Sequence, residues 1–181
     1  MMKYFKIPEF LFDVFGEKQS LLEVGCTLIF ALAGSWVVYL VAGMELDNWK
    51  SILAFLVIAD VLAGCIANFS YGTNEYYSQR PKNRLIFIAI HVHILVIAWL
   101  LSEPLDSAMI IWGYTIVSAC VVNALKGKRI QCFIAANLMC YGILLLIYLP
   151  LSNWFLMVSV FFLIKVLFSF SVDHFGKQVE R

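Results

Sequence analysis

Charge is what this chain has least of. Acidic and basic residues fill 14% of its 181 positions, where soluble domains carry about a quarter. Apolar residues fill 62%, and the mean hydropathy is +0.87. A domain of this length leaves much of its surface in water, so the apolar excess has no core large enough to hide in. That excludes a soluble globular enzyme, a disordered chain and a nucleic-acid binder. The solvent this composition suits is a lipid bilayer.

Other scarcities narrow the reading. All four prolines lie outside the long apolar runs, so the broken helices of many transporters are not expected. The two halves of the chain share no residue pattern that would mark an inverted repeat. Cys26, Cys65, Cys120, Cys132 and Cys140 all fall inside apolar runs without CxxC or Cys/His spacing. They read as small apolar residues, which removes zinc and thiol relay chemistry. No motif names a cofactor. The N-terminal tail is not a cleavable signal, because Glu9, Asp13 and Glu17 interrupt it and no small-residue cleavage site follows.

Six runs are long and apolar enough to cross about 30 Å of hydrocarbon as helices. They cover about residues 21–44, 51–70, 85–102, 108–125, 130–149 and 154–172. The breaks between them are mostly short, so sequential neighbours are antiparallel and the fold class is an all-α six-transmembrane-helix bundle. Residues 1–19 form a cytoplasmic amphipathic segment, 20–172 the transmembrane domain and 173–181 a tail. Within the first segment, Pro8 to Gly16 reads as a short interfacial helix, with phenylalanines in the headgroup layer.

Positive charge orients the bundle. Lys3, Lys6 and Lys18 precede the first span; Arg80, Lys82 and Arg84 lie in the second loop; Lys126, Lys128 and Arg129 lie in the fourth; Lys177 and Arg181 end the chain. The opposite side holds Lys50 among Glu45, Asp47, Glu103 and Asp106. Both termini are therefore expected in the cytoplasm of a cell-membrane, multi-pass protein.

The polar residues left inside the spans carry the functional signal. Asp60 sits mid-helix, where an aspartate costs about 2.5–3.5 kcal/mol on insertion scales. Asp60, Gly64 and Asn68 recur every four residues and share a face. His91 and His93 follow in the third span, Asn123 and Asn137 in the fourth and fifth, and Lys165 in the sixth. All lie at mid-depth or on the cytoplasmic side. On a regular helix, residues two apart point about 200° apart. His91 and His93 can then neither chelate one ion nor both face Asp60, and they offer no facing pair for haem. No metal site is assigned.

Asp60, Asn68, His91, His93, Asn137 and Lys165 are the expected substrate-binding or proton-coupling residues. A second candidate is the loop Gly72–Arg84, where Arg80, Lys82 and Arg84 would hold an anionic headgroup and Tyr76 and Tyr77 would form a side wall. Three functions fit. One is binding or transport of a small solute or proton through a cytoplasm-facing cavity. Another is an intramembrane enzyme using an Asp–His pair on a lipid or lipid-linked substrate. The third is a structural subunit in which an Asp60–Lys165 pair merely fixes packing. The expected partners are the lipid bilayer, a small-molecule or lipid ligand, and a second membrane protein or another copy of this chain.

Overall fold

The structure is a computed structural model that describes residues 4–9 and 12–176. Lys3, Lys177 and Arg181, used above for orientation, lie outside the described residues. The chain opens with β1 (Tyr4–Lys6), α1 (Phe12–Phe15) and β2 (Lys18–Ser20), the strands pairing antiparallel with Tyr4 opposite Ser20 and Lys6 opposite Lys18. This differs from the single short helix expected over Pro8–Gly16. Gly16 stops the helical turn at φ 68°, and the chain then returns as a strand.

The elements that follow are α2 (Leu21–Ala42), α3 (Trp49–Ala67), α4 (Tyr71–Ser78), α5 (Pro81–Ala89) and α6 (His93–Leu100). After them come α7 (Leu105–Ala124), α8 (Gln131–Tyr148), α9 (Asn153–Leu163) and a π-helical segment, Ile164–Phe170. Six helical stretches are long and apolar enough to cross a membrane, the arrangement of a polytopic membrane protein. They are α2, α3, α5 with α6, α7, α8, and α9 with the π segment; we number them spans one to six.

Polar punctuation sets the boundaries. Ser20 and Glu23 form a reciprocal cap at the start of α2: Ser20 Oγ accepts from the Glu23 N–H at 3.2 Å, and Glu23 Oε2 accepts from the Ser20 N–H at 2.9 Å. Asn48 Oδ1 accepts from the N–H groups of Lys50 and Ser51, both at 3.0 Å, to start α3. Ser70 and Ser152 cap α4 and α9 in the same way. Pro81 opens α5, four residues before the expected start of the third span. The second loop is itself mostly helical, as α4.

Span six is the centre of the bundle. Its most apolar window is 61% buried, against 17% for span one, and all five other spans pack on it. Phe155, Phe162, Val166 and Leu167 are fully enclosed there. In a bilayer, whose tails are as apolar as these side chains, such helices would be held by close van der Waals fit and by polar contacts between helices. Lys165, 3% exposed, therefore lies at the heart of the molecule.

Candidate functional site

Span three is broken where the histidines sit. The His91 N–H reaches back only to the Ile88 carbonyl at 3.3 Å, and the Val92 N–H to Ile90 at 2.8 Å. The Phe87 carbonyl, which the His91 N–H would satisfy in a regular helix, is taken instead by His91 Nδ1. A side chain inserted into the ladder is one of the few causes of a sharp break in a helix. No proline or glycine announced it. The break overturns both the expectation of unbroken spans and the 200° argument, because α5 and α6 are separate helices and the rings of His91 and His93 lie 5.0 Å apart.

Span six is irregular at the same place. Over Ile164–Phe170 the turns widen to π geometry, which is rare and often found at functional sites. Side chains satisfy the carbonyls left at its end. Arg84 Nη2 donates to the carbonyls of Phe170 and Ser171 at 3.0 and 2.7 Å, Gln131 Nε2 to Ser171 at 3.2 Å, and Asn74 Nδ2 to Val172 at 3.2 Å. His174 Nε2 donates to Phe168 and Ser169 at 3.1 and 3.2 Å. Burial pushes the His174 imidazole below its usual value.

These two irregularities bring four ionisable groups together. Lys165 Nζ donates to Asp60 Oδ2 at 2.6 Å and to the Asp60 carbonyl at 3.2 Å. His93 Nε2 lies 3.0 Å from the same carboxylate oxygen. Lys165 is 3% exposed and His91 2%, whereas the Asp60 side chain is half exposed. Gly64, one turn along α3, lets the lysine pass: a β-carbon there would overlap Lys165 Cε and Cδ. His91 Nε2 and His93 Nδ1 are both buried without a hydrogen-bond partner.

The cluster lines a cavity of about 330 Å³ whose walls include Val14, Ala63, Ala67, Asn68, Phe87 and Ile90. Its shape follows from the break. Above it, α6 packs along α3; below it, α5 packs chiefly on α4 and α7. A wedge therefore opens between α3 and α5, closed behind by the π segment and below by Val14 of α1. Asp60 is seven residues from the end of α3, about 10 Å along the helix axis.

The expected substrate-binding residues separate into two groups. Asp60, His91, His93, Lys165 and Asn68 share the cavity, with Asn68 Nδ2 3.5 Å from the Lys165 carbonyl. Asn137 does not: it lies on the outer side of α8, donating to the Phe133 carbonyl one turn back at 2.8 Å.

The expected headgroup cluster is divided too. Arg84 is 1% exposed and serves span six, because a lone buried guanidinium needs carbonyl acceptors. Tyr77 is buried between Phe87 and Phe170, with ring centroids 5.0 and 4.8 Å away. Arg80 lies 2.9 Å from Glu17 and 4.0 Å from the Tyr76 ring, in a shallow pocket of about 220 Å³ over α4. Lys82 alone of the three cations is exposed. Sequence reasoning did not single out Val14, Phe87, Ile90 or Gln131. For Phe87 a signal existed, since Arg84, Phe87 and His91 recur at helical spacing.

Among the described residues, no group of three or more His, Cys, Asp or Glu side chains is placed to hold a metal ion. No protein-family model matches the chain, and no curated protein or solved structure is similar to it. The site must be read from its own chemistry.

Proposed function

We propose that the chain is a multi-pass protein of the cell membrane, with both termini in the cytoplasm, which binds a small solute or a proton at the Asp60 centre and moves it between compartments. The observation that carries this reading is the sharing of the half-exposed Asp60 carboxylate between Lys165 and His93, at a break in one span and a π segment in another. Breaks at mid-depth are where many transporters build their sites. Ionisable groups inside a membrane mark ion or substrate pathways by default. A carboxylate held by two bases can release one when a proton or a ligand's donor arrives, and an imidazole is suited to exchange protons near neutral pH. Packing alone would be served by Asp60 and Lys165; it gives no role to two histidines with unpartnered nitrogens.

A second reading has its own support. An Asp–His pair whose other ring nitrogen is unpartnered is the arrangement of a general base, and the bilayer would supply a lipid substrate. Neither Cys65 nor Ser70 is free to serve it as a nucleophile. Cys65 Sγ donates to the Phe161 carbonyl at 2.9 Å, and Ser70 Oγ is engaged with Gln19 at 2.6 Å and Thr73 at 3.1 Å. The base would have to act on water or on the substrate's own hydroxyl.

The test compares wild type with Asp60→Asn in two assays. Native mass spectrometry reads a retained small molecule or lipid, and proteoliposomes with a trapped pH dye read proton movement. An Asp60-dependent signal in either supports the proposal; bare protein and silent vesicles in both forms leave only the packing role.

A further inference from the structure

Asp60 poses a problem of exposure. Its side chain is half open at mid-span, where bulk water is absent, although Lys165 and His93 already attend one of its oxygens. The opening is the wedge between α3 and α5. Its sides are apolar, with Ala63, Ala67 and Phe87 inside and Ile90 at the rim, 59% exposed. Span one packs on the far side of α3, and α5 is backed by α4 and α7. Ile90 and the Asp60 side chain stay exposed at the front of the wedge, so on the proposed topology it faces the bilayer sideways. Val14 of α1 lies at its cytoplasmic foot.

The hydrogen-bonding inventory of the wedge selects a head group. Asp60 Oδ2 takes both the lysine and the histidine, and Oδ1 takes part in no hydrogen bond among the described residues. With Nδ1 of His91 on the Phe87 carbonyl and Nε2 of His93 on the carboxylate, the second nitrogen of each ring is an acceptor in the neutral form of the ring. Both are unpartnered. Three acceptors then stand open beside the one spare N–H of Lys165.

An anionic head would bring no donor and would meet the Asp60 carboxylate. A cationic head would find that carboxylate already neutralised by Lys165 Nζ at 2.6 Å. A hydroxyl both donates and accepts: it can satisfy Oδ1 or a ring nitrogen while accepting from the third Lys165 N–H. A cavity of about 330 Å³ lies at the small end of ligand pockets. It encloses a head group and the start of a chain, leaving the rest of the chain in the lipid.

We infer that the ligand is a neutral, hydroxyl-headed amphiphile dissolved in the bilayer, of the long-chain alcohol or acylglycerol class, which enters sideways between spans two and three. This rests on the reading of the Asp60 cavity as a ligand site and names the class of molecule it takes.

The test uses the full chain in phosphatidylcholine vesicles with photoreactive sixteen-carbon probes that differ only at the head: alcohol, methyl ether, amine and carboxylate. The alcohol should label α3 and α5 peptides roughly tenfold more than the ether, the worth of one good hydrogen bond. Unlabelled hexadecanol should compete. Ala63→Phe, which fills the wedge, should abolish labelling while eluting at the wild-type position. His91→Gln should reduce labelling, again with unchanged elution. Equal labelling by alcohol and ether, or stronger labelling by the amine or carboxylate, overturns the inference. In that event, an Asp60-dependent water-soluble ligand in native mass spectrometry would leave the solute reading standing. Loss of both would remove that reading as well.

Discussion

Lys165 and Asp60 are a pair whose members are worth less alone than together. Removing one partner of a fully buried ion pair costs about 3–5 kcal/mol, because the other charge is left without compensation; with Asp60 half exposed the loss is smaller but has the same sign. Lys165→Met should therefore lower the melting temperature in detergent more than the double variant Asp60→Asn/Lys165→Met, a non-additivity read by a double-mutant cycle. Gly64→Ala probes the same contact from the other side. The β-carbon collides with the flexible end of the lysine, so the side chain swings away and the ammonium leaves Asp60. The melting temperature should fall, and the ligand or proton signal of wild type should be lost with it; a fully stable and fully active Gly64→Ala protein would show that the lysine's position does not matter.

His174 gives a pH dependence with a definite sign. Its imidazole is depressed in the folded state by burial, so as the pH falls below about 6.5 the unfolded chain takes up the proton first. The stability it contributes is complete above that pH and declines below it. Thermal unfolding should be steeper in pH between 7.5 and 5.5 for wild type than for His174→Gln.

At the scale of elements, the N-terminal hairpin is clamped to α4 by two glycines. A β-carbon on Gly16 would overlap the Gly72 carbonyl, and one on Gly72 would overlap the Lys18 carbonyl. Both obstacles are backbone and cannot swing aside. Gly72→Ala should undock the hairpin and speed proteolysis between β1 and β2, leaving the spans intact. The six spans themselves were legible from apolar runs and polar breaks, because a length of hydrocarbon imposes a length of sequence.

The irregular segments were not legible. Ile90-His91-Val92 contains neither of the residues that usually interrupt a helix, and the interruption comes from an imidazole capturing the carbonyl that its own N–H would have bonded. The π turns around Lys165 leave no mark in composition either. Asp60 and Lys165 could be paired by depth. The joint approach of both histidines could not, since a wheel drawn on an unbroken helix sends them apart. Arg84, read as a surface cation from its place in a basic loop, is drawn inward by carbonyls that exist only because span six ends in a wide turn.

At the scale of the molecule, the distribution of cations predicts orientation. A fluorescent reporter fused after Gly176 should fold in the cytoplasm, and one inserted after Ser102 should stay dark; the reverse pattern would invert the proposed topology. The central place of span six has a consequence for how the protein is made. On that topology, the Asp60 carboxylate enters the bilayer 105 residues ahead of the ammonium that neutralises it. At about 5–20 residues per second, roughly 5–20 s of synthesis separate the two. For that interval a charged span waits in lipid with a half-built ring of helices and no hub. Ribosomes stalled before Asn153 should therefore hold a nascent chain that insertion chaperones grip and membrane proteases recognise, and release from both should coincide with the arrival of the last span.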